Sequence, residues 1–126
     1  MILNKEGFVC GLDNNEVFVF GSNMNGFHYG GAARQASEWG AIIGIGVGRQ
    51  GKTYAIPTLD TDLTSKLPLK IIQTHLNELF VYAKVNLNTI FLLTPIGTGI
   101  AGFTFEEINS ILPELPKNII KVGNWY

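Results

Sequence analysis

The sequence has one cysteine, few charged residues and no long apolar run. Because Cys10 stands alone, an intrachain disulfide and a cysteine-based zinc site are excluded. Charged residues make up 15% of the chain, the formal net charge is -1, and lysines and arginines do not cluster. Since binding a nucleic-acid backbone requires clustered positive charge, nucleic acid is not an expected partner. No segment approaches the ~20 apolar residues of a membrane helix and no signal peptide is evident, so we expect a cytoplasmic location and no membrane partner.

The chain is rich in apolar residues and in glycine. Hydrophobic residues account for 46% of the 126 positions, which is enough apolar surface for one ordered core. No linker or compositional break is visible, so residues 1–126 are predicted to form a single domain. Most of the 15 glycines stand at the ends of apolar segments, and none lies between Lys52 and Ile96. This placement is typical of turns between strands and helices rather than of low complexity.

Hydrophobic patterning predicts strands that alternate with helices. Apolar and β-branched runs predict strands at 17–20, 53–56, 89–94 and 118–122, with Pro57 ending the second and a short irregular strand within 41–51. Helical spacing and end signals predict helices at 31–39, within 65–84 and at 104–112. The last helix begins with a capping-box pattern, Thr104 with Glu107. The order predicts an α/β fold, a three-layer αβα sandwich around a mixed, mostly parallel sheet.

One arrangement occurs twice, namely a hydrophobic strand, a glycine-rich loop and then a helix. The first loop starts at 21–23 (Gly-Ser-Asn) and ends at Gly30-Gly31, and the second spans 97–102. In α/β sheets, ligands bind at the carboxyl ends of strands, and glycine lets backbone N–H groups approach a phosphate. Tight turns alone also explain either loop, but two equivalent loops favour a phosphate site. Because Glu106 and Glu107 occupy the first turn of the last helix, its preceding loop amides are expected to bind the phosphate.

Three segments resemble the macro-domain superfamily of ADP-ribose binders, above all its small macro-domain-like members from phages and bacteria. They are 20–41 (FGSNMNGFHYGGAARQASEWGA), 54–58 (YAIPT) and 94–108 (TPIGTGIAGFTFEEI), about a third of the chain. The resemblance implies a macro-domain-like fold, a phage association and a small ADP-ribose-like nucleotide as the partner. In that family the first loop holds a ribose and a phosphate, the second wraps the diphosphate, and an aromatic residue forms a wall. The loops and the resemblance together predict these ligand-binding residues: Gly21, Ser22, Asn23, His28, Gly30, Gly31, Ala32, Pro57, Gly97, Thr98, Gly99, Ile100, Ala101, Gly102 and, as the aromatic wall, Phe103.

The catalytic residues of macro-domain hydrolases have no counterpart in this chain. The resemblance places Ala33, Leu59 and Ala101 where those enzymes carry an aspartate, a lysine and an aspartate. Neither covalent nor acid-assisted chemistry can be assigned to these apolar side chains. We therefore predict a binding module that senses or sequesters the nucleotide, with no catalytic residue, cofactor or metal ion.

Two other functions stay open at the level of sequence. An ADP-ribosyl glycohydrolase or related nucleotide hydrolase would use His28, which lies in the first loop, or Asp60 or Asp62, which follow a strand end. These aspartates are also ordinary turn residues. A structural protein that keeps the fold without the pocket is the third possibility. The sequence leaves the oligomeric state undetermined.

Overall fold

In a computed structural model, residues 1–125 are described and form seven strands and three helices; Tyr126 lies outside this range. The strands β1 to β7 are Ile2–Leu3, Val9–Gly11, Glu16–Asn23, Gly48–Gln50, Thr53–Leu59, Ile90–Leu93 and Ile119–Lys121. The helices α1 to α3 are Gly31–Glu38, Leu69–Val85 and Phe105–Ser110. The predicted alternation of strands and helices is confirmed.

Five strands form one mixed sheet in the order β4-β5-β3-β6-β7. The pairs β3-β5, β3-β6 and β6-β7 are parallel, and only β4, at the edge, pairs antiparallel to its neighbour. The α/β class with a mixed, mostly parallel sheet is thus confirmed. Because β3, β5 and β6 are mutually parallel neighbours, the loops that follow them emerge at the same edge of the sheet.

The central strand β3 is buried on both faces, as its uninterrupted apolar run predicts. Val17 and Val19 belong to a cluster on one face, together with buried residues of α2 and α3, whereas Phe18 and Phe20 belong to a second cluster on the other face. Ala36 of α1 is buried in that second cluster. Full burial of a Val or Phe side chain contributes about 1.5–3 kcal/mol, so both clusters hold β3 in place.

Three features of the fold differ from the sequence-based expectation. The strand predicted at 17–20 does not stop before Gly21, since β3 continues to Asn23, so Gly21, Ser22 and Asn23 are its last residues and the first loop begins after them. Pro57 does not end its strand, since β5 continues to Leu59. The proline is tolerated because β4 pairs only with residues 53–55 of β5, so no strand on that side requires a hydrogen bond from the proline nitrogen. On the other side, the register with β3 shifts just beyond the proline. A short antiparallel hairpin, β1-β2, also precedes the sheet and was not predicted.

Candidate functional site

A cavity of about 610 Å³ lies at the edge of the sheet where β3, β5 and β6 end. Residues from both glycine-rich segments contribute to its wall. The predicted ligand-binding residues that line it are Gly21, Ser22, Asn23, Gly30, Gly31, Ala32, Gly97, Gly99, Ile100 and Ala101. The two loops also pack together, because a Cβ added to Gly21 would lie 3.3 Å from the backbone nitrogen of Gly97.

The first loop is held by the side chains of Ser22 and Asn23, the last two residues of β3. The Asn23 side chain accepts a hydrogen bond from the Phe27 N–H and donates one to the Phe27 carbonyl, each at 2.9 Å. The Ser22 hydroxyl donates to the carbonyl of Gly46. Although both residues line the cavity, these side-chain groups are engaged with the backbone, so they shape the loop.

Among the described residues, the amino terminus of α1 offers backbone donors that have no protein acceptor. Gly30 is the N-cap, no side chain caps the helix, and its first turn contains no acidic residue. Arg34 is the first residue whose N–H bonds back to the Gly30 carbonyl, at 3.3 Å. The N–H groups of Gly31, Ala32 and Ala33 therefore have no intrahelical acceptor. All three residues line the cavity, where the positive end of the helix dipole favours an anion.

The second loop offers a further set of free amides. The Phe103 N–H donates to the Gly97 carbonyl at 2.9 Å and the Gly102 N–H donates to the Gly99 carbonyl at 3.0 Å, which closes the loop. Within the part of the chain that the structure describes, the N–H groups at 99–101 donate to no protein acceptor. Successive free backbone N–H groups in a turn are the donors from which anion-binding sites can be built.

The following helix α3, by contrast, is closed to an anion. The Thr104 hydroxyl accepts a hydrogen bond from the Glu107 N–H, and the Glu107 carboxylate accepts one from the Thr104 N–H, both at 3.0 Å. This confirms the predicted capping box. The same backbone hydrogen bond lowers the pKa of Glu107 from its ordinary value. The loop amides, and not this helix end, are available at the second loop.

Five predicted residues do not line the cavity: His28, Pro57, Thr98, Gly102 and Phe103. His28 is 3% exposed, its Nε2 lies 3.1 Å from the carbonyls of both Ile42 and Ile45, and its ring packs edge-on against Phe20. Phe103 is 6% exposed and belongs to the core on the α2 side, beneath the ammonium of Lys66. Both rings point into packed regions. The His28 ring lies against Phe20 and the two loop carbonyls, and the Phe103 ring lies in the core on the α2 side.

The two aspartates considered for hydrolysis belong to an exposed turn and do not line the cavity. Asp60 accepts a hydrogen bond from the Thr61 N–H. Asp62 accepts hydrogen bonds from the Ser65 hydroxyl and from the N–H groups of Ser65 and Thr64. These bonds lower the pKa of Asp62 to about 2. Both carboxylates therefore make turn contacts in this structure.

The described cavity wall contains no Asp, Glu, Lys, Arg or His side chain, and Cys10 is its one titratable group. Leu59 and Ala101, the positions that the resemblance assigns to a lysine and an aspartate in hydrolases, both line it. The wall thus combines backbone donors with uncharged side chains. It can bind an anion and cover apolar groups, but it offers no positioned carboxylic acid or imidazole for proton transfer.

Sequence reasoning missed one wall of the cavity. The β1-β2 hairpin contributes Asn4, Phe8, Val9 and Cys10, and Phe8 is 56% exposed. The Asn4 side chain accepts hydrogen bonds from the N–H groups of Glu6 and Phe8, which fixes the hairpin turn. The one available signal was this turn chemistry, since strands of two and three residues are too short to show a period.

Comparisons with protein-family models, curated proteins and solved structures found no match for this chain. No helix within residues 1–125 is long and apolar enough to span a membrane. The same residues contain no group of three or more His, Cys, Asp or Glu side chains that could hold a metal ion.

Proposed function

We propose that this protein binds ADP-ribose or a related ADP-ribose-derived nucleotide and acts as a non-catalytic sensor or sequestering module. One observation carries the proposal. Residues 31–33, at the amino terminus of α1, and residues 99–101 of the second loop line a single cavity, and within residues 1–125 their backbone N–H groups donate to no protein acceptor. A diphosphate has two anionic groups and is therefore the ligand that can engage both sets of donors at once.

The rest of the cavity suits the remainder of such a nucleotide. Its volume of about 610 Å³ falls within the ~300–1,000 Å³ of small-molecule sites. The apolar side chains of Phe8 and Ile100, which are 56% and 86% exposed, are available to cover a ribose or a base. A large apolar side chain in that position gains burial when a ligand enters.

The fold that accompanies this function is proposed to be a three-layer sandwich of the macro-domain type. Support comes from the two buried clusters on opposite faces of β3, one packed with α2 and α3 and the other with α1. The phage association belongs to the same resemblance and stays a proposal. The uncharged cavity wall favours binding over the alternative hydrolase, because the three candidate groups, His28, Asp60 and Asp62, lie outside it.

Isothermal titration with ADP-ribose, NAD, ADP and AMP in parallel tests the proposal. We expect ADP-ribose or a close derivative to bind at least about 10-fold more tightly than AMP, since a single phosphate cannot engage both loops. Equal affinity for AMP and ADP-ribose would contradict the two-loop site. Absence of binding by all four compounds at millimolar concentration would contradict the proposed function itself.

A further inference from the structure

A second surface of the molecule, formed by residues outside the cavity lining, is apolar. Six large hydrophobic side chains in two neighbouring loops are between 37% and 69% exposed: Phe27, Tyr29, Ile42, Ile43, Ile45 and Val47. None of them lines the cavity. We refer to these six residues as the 27–47 surface.

The two loops that carry this surface form one fixed unit. The Gly44 N–H donates to the Gly26 carbonyl at 3.0 Å, and the buried His28 ring bridges the carbonyls of Ile42 and Ile45. The rings of Phe27 and Tyr29 stack with centroids 5.6 Å apart. The apolar side chains are thus presented on backbone that is already ordered, so a partner would pay little entropy to bind them.

The two segments that carry the 27–47 surface contribute no charged side chain to it. Segments 21–33 and 40–48 contain no Asp, Glu, Lys or Arg, and the one histidine among them is buried. A surface of this kind meets a copy of itself without like-charge repulsion, whereas it offers no complement to a charged partner. A symmetric dimer requires such self-complementarity, because the same patch lies on both sides of its interface.

The exposed apolar side chains supply more than half of the area that a standard interface buries on each partner. At about half exposure each, six side chains of this size offer on the order of 500 Å² before the intervening backbone is counted. A standard interface buries about 800 Å² on each partner, and soluble monomers rarely expose contiguous apolar patches above a few hundred Å². We propose that the 27–47 surface is covered by a second copy of this chain in a symmetric dimer.

Sedimentation equilibrium of the full chain tests this assignment with a matched pair of variants. Ile43→Arg puts a charge at the 27–47 surface, where Ile43 is 58% exposed. Val81→Arg makes a similar change on α2, where Val81 is 64% exposed, outside that surface. At about 100 µM we expect the mass of two chains for the wild type and for Val81→Arg, and of one chain for Ile43→Arg. Because a symmetric interface contains the substitution twice, the dissociation constant of the dimer should rise at least about 100-fold.

Tyr29→Arg serves as a second variant if circular dichroism shows that Ile43→Arg does not fold. Since Tyr29 is 69% exposed on the same surface, we expect the same loss of dimer. A wild type that keeps the mass of one chain up to about 500 µM would overturn the proposal and leave this surface to a different protein. Dimers that persist in folded variants of this surface, or that are lost in Val81→Arg, would overturn it as well.

Discussion

Replacing Gly99 by glutamate is the sharpest perturbation of the proposed site. Gly99 lines the cavity and is the first of the three residues with free amides in the second loop, and a Cβ added there meets nothing within 4 Å. Its backbone also lies outside the left-handed region, unlike that of Gly97 and Gly102 in the same loop. The chain should therefore accept a larger residue at this position without loss of stability.

The cost of Gly99→Glu to binding can be worked from electrostatics. A carboxylate about 6 Å from a phosphate charge, at an effective dielectric constant of about 40, raises the free energy of the complex by about 1.4 kcal/mol. The two charges of a diphosphate give about 3 kcal/mol, which corresponds to about a 100-fold increase in Kd. Isothermal titration with ADP-ribose measures this change.

Gly99→Gln is the matched control, since glutamine has the size of glutamate without its charge. We expect it to weaken binding by less than about 10-fold, and we expect the difference between the two variants to shrink as salt is added. If Gly99→Glu binds ADP-ribose as tightly as the wild type while its circular dichroism is unchanged, the diphosphate does not lie against this loop.

Three further expectations concern stability and chemistry. Gly26→Ala should lower the free energy of unfolding by about 3 kcal/mol or more in a denaturant titration, because Gly26 has a φ of +68° and the added Cβ would lie 2.2 Å from the backbone nitrogen of Ile45; a loss below about 1 kcal/mol would refute this. Asp62→Ala should lower the thermal midpoint at pH 7, and the difference should vanish as the pH falls from about 4 towards 2, since the stabilisation exists only while the Asp62 carboxylate, with its pKa lowered to about 2, is ionised; a pH-independent difference would refute this. The wild type should release no ADP-ribose from aspartate-, glutamate- or arginine-linked protein above a protein-free control, and release that Asp60→Asn abolishes would identify an enzyme.

The central elements of the fold could be predicted because each has a strong local signal. A local run of residues is enough to predict β3 and β6 from their apolar side chains, α2 from its helical spacing, and the start of α3 from the capping box at Thr104. The extent of β5 could not be predicted in the same way. Whether Pro57 ends a strand depends on how far β4 pairs along β5, and only the tertiary structure shows this.

The candidate site shows the same division. The glycine-rich loops could be placed at one edge of the sheet because strand order fixes where they emerge. The direction of a side chain within a loop could not be predicted, because it depends on contacts with segments that are distant in sequence. His28 is buried by carbonyls 14 and 17 residues away, and Phe103 faces the core on the α2 side. The hairpin wall that carries Phe8 also required the three-dimensional structure.

The most direct test of the two-loop site is an amide chemical-shift titration of isotope-labelled protein with ADP-ribose. We expect the N–H signals of Gly31, Ala32, Gly99, Ile100 and Ala101 to move together and to saturate at the same ligand concentration, because one diphosphate engages both sets of donors. The capped N–H of Glu107 should move far less, since it already donates to Thr104. Shifts confined to one loop, or to residues outside the cavity wall, would contradict the account.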